Sequence, residues 1–290
     1  MEIRKAERKK AKLRLGIAAP SGAGKTYSAL LLAFGLGGKV GLIDTEHGSG
    51  DLYAHLGDYS VWSIEAPYTI AKYTQAIKAF EEAGFTTIII DSLSHAWAGD
   101  GGLLDKQGKL ADRPGANGYT AWRTITPEHN ALVDAMLRST CHIIATMRSK
   151  QEYILETNDK GKQQPKKVGM APVQREGMEY EFTVMLDVDM NHVASASKDR
   201  TSLFDGRFFR ISPDTGKELS AWLETGVEPP PPFDAQVEIA AMGFAKDLPE
   251  LQAIFAPAYR RGDEPQKHML KFAYEEFKSA LTEVSDAISQ

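Results

Sequence analysis

Short apolar runs alternate with segments of helical periodicity over most of the chain. Apolar runs at 13–19, 40–44, 86–90 and 141–146 have the length of buried strands. The segment 68–83 carries apolar side chains at three- and four-residue spacing, which is typical of a helix packed on one face. This alternation predicts an α/β fold with a mostly parallel, doubly wound sheet. Further helices are predicted at 27–34 and 122–139, and further strands at 182–186, 193–196 and 207–211.

Two long segments lack this periodicity and are predicted to be loops. The first, 98–118, is rich in glycine, and the second, 156–178, is polar and rich in lysine. Long loops inside a compact domain are often functional. Consecutive prolines at 229–232 predict a stiff spacer, and helical patterns at about 234–257 and 265–288 follow it.

These changes of pattern divide the chain into four parts. We expect a basic N-terminal segment at 1–12, a core domain at 13–226, a proline-rich linker at 227–233 and a small helical C-terminal extension at 234–290.

Composition and charge add two constraints. No apolar run is long enough to span a membrane, and the N-terminus lacks the apolar stretch of a secretory signal. The single cysteine, Cys141, can form no intrachain disulfide, so we expect a cytoplasmic protein without a membrane partner. The net charge is −5, yet 1–14 and 158–169 are locally basic. Such patches favour contact with polyanions, although a solvated tail and a solvated loop would give the same pattern.

The segment 19–26, Ala-Pro-Ser-Gly-Ala-Gly-Lys-Thr, has the pattern of a phosphate-binding loop between a strand and a helix. Glycines in such a loop let consecutive N–H groups point at a phosphate, and the following helix adds its positive end. Lys25 would reach the β- and γ-phosphates, and Thr26 would give its hydroxyl to Mg²⁺. ATP and Mg²⁺ are therefore the predicted cofactors. The residues predicted to bind the nucleotide are Pro20, Ser21, Gly22, Ala23, Gly24, Lys25, Thr26 and Tyr27.

Two carboxylates complete the predicted site. Asp91 ends an apolar strand in the Walker B form, so we expect it to hold Mg²⁺ together with Thr26. Many P-loop ATPases place a Glu next, but this chain has Ser92. Glu46 lies just past the second strand, at the edge of the sheet where nucleotides bind, and could polarise a water aimed at the γ-phosphate. The alternative is that Glu46 only faces solvent.

The residues around Glu46 resemble a stretch of the bacterial RecA recombinases: Asp44, Thr45, Glu46 and His47, followed by 51–57. The resemblance implies that Glu46 is the catalytic carboxylate, and it extends to the Walker B strand. It also aligns the two predicted loops with the two DNA-binding loops of that family, the second beginning near Arg148. The implied DNA contacts are Lys106, Lys109, Arg113, Lys160, Lys162, Lys166 and Lys167.

Lys198 and Arg200 resemble an element that RecA and RadA proteins insert into a neighbour's ATP site. The resemblance implies that both cations are catalytic in the next subunit and that the protein assembles into a ring or filament. The alternative is a charge cluster at a strand end. The Gln with which the family senses the γ-phosphate is missing. The nearest positions are Thr146 and Met147, with Gln151 a little later.

A short basic segment replaces the large N-terminal helix of RecA, so the chain is more similar to the compact RecA-like ATPases of bacteriophages, the Sak-type single-strand annealing proteins. This implies a DNA-stimulated ATPase that acts on single-stranded DNA in recombination or annealing, in the host cytoplasm if a phage encodes it. One alternative is a nucleotide-gated adaptor or loader whose C-terminal helices bind a single-strand-binding protein or a helicase. Another is a small-molecule P-loop kinase, which would need an Arg-rich lid.

Overall fold

The structure is a computed structural model. It describes residues 5–115, 117–157, 163–227 and 233–288. Side chains are described at all of these positions except 151–168 and 283–288. Within these ranges no helix is both long enough and apolar enough to cross a membrane. The chain divides into two compact units, Met1–Val227 and Glu228–Gln290.

Within the described residues, the first unit is built on one nine-stranded sheet. The central strands are buried along their whole length, as expected for strands covered on both faces. The strands are β1 (Arg14–Ala19), β2 (Val40–Asp44), β3 (Ser60–Ser63), β4 (Thr87–Asp91), β5 (His142–Thr157), β6 (Gln163–Pro172), β7 (Val184–Val188), β8 (Ala194–Asp199) and β9 (Phe208–Phe209).

The order of the strands is β3-β2-β4-β5-β1-β7-β8-β9, and β6 pairs with β5. Pairing is parallel from β3 to β7 and antiparallel for β8, β9 and β6. The predicted α/β fold with a mostly parallel sheet is therefore confirmed. Because β1, β2, β4 and β5 run in one direction, their carboxyl ends share one edge of the sheet, which is where ligands bind in folds of this class.

Helices cover both faces of the sheet. Side chains of α2 and α5 pack in one apolar core, and side chains of α1 and α6 pack in the other. The first unit contains α1 (Lys25–Leu36), α2 (Ile70–Glu82), α3 (Leu93–Ala98), α4 (Leu103–Ala111), α5 (Gly118–Arg138) and α6 (Pro213–Leu223), and 3₁₀ turns at Ser49–Leu56 and Met178–Glu181.

The prediction of a loop at 98–118 is wrong, because α4 occupies most of that segment. Three of its six glycines lie before the helix, where Gly101 has φ +70°, and Gly108 lies within the helix without interrupting it. Asn117 then caps α5 by accepting a hydrogen bond from the backbone N–H of Thr120.

The prediction of a loop at 156–178 is also wrong. Strand β5 runs beyond the parallel sheet to Thr157, and β6 returns beside it from Gln163 to Pro172 as an antiparallel hairpin. Most residues of the segment predicted to be a loop are polar, and this composition hides the strand pattern. Residues 158–162 lie outside the described residues.

Part of the basic N-terminal segment contacts the end of the first unit, although its sequence was also compatible with a solvated tail. The Arg8 guanidinium lies 3.8 Å from the ring centroid of Trp222, and Lys10 forms an ion pair of 2.7 Å with Glu224. The backbone N–H of Val227 donates to the carbonyl of Arg8. Some of the basic groups therefore have partners within the protein.

The second unit, as far as it is described (233–288), is a bundle of three helices. It contains α7 (Ala235–Met242), α8 (Leu248–Arg261) and α9 (Glu264–Ile288). The pattern predicted as one helix at 234–257 is broken, because Asp247 caps a new helix by accepting from the backbone N–H of Glu250. The bundle has a small core of its own, in which Leu251 and Leu270 are fully buried.

Candidate active site

The phosphate-binding loop connects β1 to α1. Gly22 and Gly24 have φ of +82° and +84°, a left-handed conformation that favours glycine. No side chain caps α1 at Gly24, and its first turn contains no acidic residue. The positive end of α1 is therefore left for an external anion, as in other phosphate-binding loops.

A cavity of about 540 Å³ lies at the carboxyl edge of the sheet, beside this loop. Its size suits the polyphosphate of a nucleotide. An adjoining cavity of about 470 Å³ is lined by Tyr27, Tyr53, His192 and Arg210 among others, and it offers aromatic surface for a base. The first cavity is lined by Ser21, Gly22, Gly24, Lys25, Thr26, Glu46, Ser49, Tyr53, Asp91, Arg148 and Ser149.

Lys25 bends over the loop. Its Nζ donates to the carbonyls of Ala19 at 3.3 Å and Pro20 at 3.2 Å. Burial lowers the pKa of Lys25, although the charges of Asp91 and Glu46 oppose this effect. The long hydrogen bonds indicate an ammonium that can exchange these carbonyls for phosphate oxygens.

Asp91 lies buried at the end of β4 and accepts hydrogen bonds from the hydroxyls of Thr26 and Thr146. Burial raises the pKa of Asp91, because these neutral donors only partly offset the loss of water around the carboxylate. A carboxylate in this position is suited to a cation. Thr26 and Asp91 are oxygen ligands of the kind that Mg²⁺ prefers, so both residues fit the ion.

The protein would supply few ligands to such an ion. Among the residues that the structure describes, no group of three or more His, Cys, Asp or Glu side chains could hold a metal. Mg²⁺ at Thr26 and Asp91 would therefore take its other ligands from phosphates and water, as is usual in nucleotide sites.

Glu46 faces this cavity, and its side chain is 22% exposed. Its backbone N–H donates to Asp44 Oδ1 at 2.6 Å, which fixes the turn after β2. The carboxylate accepts from Ser92 Oγ at 3.2 Å and from Arg148. Burial works against ionisation, but the hydrogen bond and charge of Arg148 prevail and hold the pKa of Glu46 below its ordinary value. The carboxylate is therefore ionised at neutral pH.

Arg148 is a site residue that the sequence did not assign. It ends the parallel part of β5, where its Cα lies opposite that of Ala19, the first residue of the phosphate-binding loop. The sequence signal was its position after a predicted strand, but the contact with Glu46 depends on how β2, β4 and β5 are ordered in the sheet.

The residues nearest to the position of the missing γ-phosphate-sensing Gln make contacts of other kinds. Thr146 donates to Asp91, and Met147 is buried in the core. The side chain of Gln151 lies outside the described residues.

Lys198 and Arg200 do not reach the cavity of their own chain. Lys198 pairs across the sheet with Met185, which pairs with Gly16 near the start of β1, whereas the phosphate-binding loop follows the other end. The ammonium of Lys198 donates to the carbonyls of Glu179 at 3.0 Å and Tyr180 at 2.6 Å. A role in a neighbouring subunit's site stays a prediction.

The predicted DNA contacts fall into two groups. On α4, Lys106 and Lys109 form ion pairs with Glu128 and Asp105, at 2.5 and 2.6 Å, while Arg113 lies just after the helix in an exposed position. The second group belongs to the hairpin. Lys166 and Lys167 are on β6 with side chains outside the description, and Lys160 and Lys162 lie outside the described residues.

Comparison with family models agrees with the phosphate-binding fold. A family described as AAA domain matches residues 11–215. A solved structure of a prototypical ATPase from the type III secretion system of pathogenic bacteria is similar, with 14% identity and a TM-score of 0.35, over 94% of this chain and 80% of that one. Comparison with curated proteins finds no match.

Proposed function

The chain belongs to the AAA domain family, and we propose that it is an ATPase of the RecA-like type that acts on single-stranded DNA, as compact phage recombination or annealing proteins do. The observation that carries this proposal is the convergence of Lys25, Asp91 and Glu46 on one cavity beside the root of a lysine-rich hairpin.

Hydrolysis can be assigned to these groups by their positions. Lys25 would bind and orient the phosphates, and Thr26 and Asp91 would hold Mg²⁺, which would neutralise phosphate charge. Glu46 is the ionised carboxylate that lines the same cavity, so it can accept a hydrogen bond from the attacking water and direct it at the γ-phosphate.

The DNA assignment is supported by the origin of the hairpin. Ser149 lines the nucleotide cavity and pairs with Pro172, so the arm begins at the site itself. The sequence of the arm contains Lys160, Lys162, Lys166 and Lys167. Lysines bind backbone phosphates without reading sequence, and this binding weakens as salt rises.

The test is the rate of ATP hydrolysis with and without single-stranded DNA at low and high salt, with oligomer size measured in each state. We expect DNA to raise the rate at low salt and to promote assembly, and Lys25→Ala to remove activity in both conditions. If ATP is hydrolysed at a rate that no DNA changes, the ATPase assignment stands and the DNA assignment is wrong.

A second function is favoured by the surface of the C-terminal unit. Phe244, Phe272 and Val237 are 83%, 68% and 63% exposed. Exposed apolar side chains that form one contiguous patch mark protein contact sites, and these three residues are the candidates for such a patch. We therefore also propose a role as an adaptor that binds a single-strand-binding protein or a helicase. Phe244→Ser with Phe272→Ser should abolish that binding and leave ATP turnover unchanged; loss of turnover instead would contradict a separate docking role.

A further inference from the structure

Glu46 is held by a two-point ion pair with Arg148. Arg148 Nη2 lies 2.6 Å from Glu46 Oε2, and Arg148 Nε lies 3.0 Å from Oε1. Ser92 Oγ adds a third contact to Oε1 at 3.2 Å. Both oxygens of the carboxylate are therefore engaged, and a carboxylate held this way is a weaker base towards water.

Arg148 faces the space where phosphates would lie. It lines the same cavity as Lys25 and Asp91, and its charge acts on both of these groups. Its side chain is 48% exposed, compared with 22% for Glu46, so the guanidinium is the more accessible partner. A guanidinium binds phosphate with the same two-point geometry that it uses for carboxylate. A γ-phosphate would therefore compete with Glu46 for Arg148.

The backbone of Arg148 is fixed although its side chain is accessible. Its N–H donates to Ser94 Oγ at 2.9 Å, and its carbonyl accepts from the N–H of Val173 at 2.6 Å. The side chain is thus the part that can exchange partners. The next residue, Ser149, opens the hairpin, so a change at Arg148 occurs where the arm begins.

We propose that Arg148 is a γ-phosphate-responsive switch, which restrains Glu46 in the nucleotide-free protein and transfers to the γ-phosphate when ATP binds. The transfer frees Glu46 to accept from water only when a γ-phosphate is present. ADP lacks that group, so the pair between Arg148 and Glu46 remains. The inference rests on the ATP binding proposed above.

The first test compares crystal structures of the unmutated protein with Mg²⁺ and either ADP or a non-hydrolysable ATP analogue. We expect the pair between Arg148 and Glu46 to persist with ADP. With the analogue, Arg148 should contact a γ-phosphate oxygen and Glu46 should retain Ser92 as its partner. An intact pair in the analogue complex would overturn the proposal.

The second test measures affinities by displacement of a fluorescent nucleotide. It uses Glu46→Gln as the background, because an unpaired carboxylate would itself repel the γ-phosphate. Adding Arg148→Gln should weaken binding of the ATP analogue by about tenfold and change ADP affinity less than about twofold. Equal changes for the two nucleotides would overturn the contact with the γ-phosphate.

The matched control is Arg207→Gln in the same background. Arg207 is 45% exposed and pairs with Glu218 at 2.8 Å, but it does not line the nucleotide cavity. It should alter neither affinity. Failure of the switch can be distinguished from failure of the proposed function. If the unmutated protein binds neither nucleotide, and Lys25→Ala changes nothing, then the proposal of ATP binding itself is wrong.

Discussion

Two arginines at opposite ends of the parallel strands have contrasting partners. Arg14, at the start of β1, is 7% exposed and donates to four backbone carbonyls. Arg148, on β5 at the edge where β1 ends, is about half exposed and pairs with the carboxylate of Glu46. The backbone carbonyls that bind Arg14 are fixed parts of the fold, whereas the carboxylate that binds Arg148 can be exchanged for a phosphate. The first arginine therefore stabilises the fold, and the second is placed to respond to a ligand.

Lys198 lies between these two cases. Backbone carbonyls of Glu179 and Tyr180 bind its ammonium, as they do for Arg14, yet the side chain is only partly buried. Its partners suggest a structural cation, and its exposure permits a role in a neighbouring site. An experiment on the assembled protein separates these two roles.

The largest effect is expected for a change at Glu46, the partner of Arg148. Glu46→Gln should reduce ATP turnover by about 10³-fold, because the amide cannot act as a base, and should preserve ATP binding. Turnover and nucleotide affinity are measured on the same preparation. Retained turnover would remove Glu46 from the reaction, and lost affinity would indicate that the pair with Arg148 maintains the shape of the cavity.

Lys198→Ala separates the structural role from the catalytic one. If Lys198 stabilises charge in a neighbour's site, turnover of the assembled protein should fall by about 10²–10³-fold with little loss of stability. Mixing this variant with Lys25→Ala should restore part of the activity, since each supplies what the other lacks. Activity that no mixing ratio restores would contradict action between subunits.

Local sequence could place the parts of the candidate site that lie in one stretch of chain. The loop at 19–26 lies between β1 and α1 and Asp91 lies at the end of β4, as predicted, because these positions follow from neighbouring residues. The fold class followed in the same way from the alternation of strands and helices. Arg148 could not be assigned, because its contact with Glu46 arises only when β5 lies between β4 and β1.

The wrong predictions have the same physical origin. A glycine-rich composition hid α4, in which Leu103 is the one buried side chain, and a polar sequence hid the hairpin, whose strands pair with each other outside the apolar layers. Hydrophobic periodicity reports burial, so it misses elements that bury little. Lys198 is a different case. The resemblance to RecA and RadA proteins implies a role for Lys198 in a neighbouring subunit, whereas its contacts lie within its own chain.

Arg14→Met tests whether Arg14 stabilises the fold. It removes the partner of carbonyls such as those of Ser139 and Cys141 and should lower the free energy of unfolding by about 2–4 kcal/mol. All four tryptophans belong to the first unit, so denaturant unfolding followed by tryptophan fluorescence reports on it. Arg207→Met is the exposed control and should change stability by less than about 1 kcal/mol. Nucleotide affinity of the folded protein should stay the same in both variants.

The smallest expected effect is on the free energy of unfolding in acid, and it concerns His142, which lies near Arg14. His142 Nδ1 accepts from the backbone N–H of Leu13 at 3.0 Å, and burial, with the charges of Lys12 and Arg14, lowers the pKa of His142 to about 4. An unfolded histidine titrates near 6.5, so between these values the unfolded chain binds a proton that the folded protein excludes, and stability falls as pH falls. His142→Asn should therefore lose about 1–2 kcal/mol less than the unmutated protein between pH 7 and pH 5 in denaturant unfolding. Parallel pH profiles for the two proteins would show that His142 is not excluded from protonation, and the acid sensitivity would then belong to other groups.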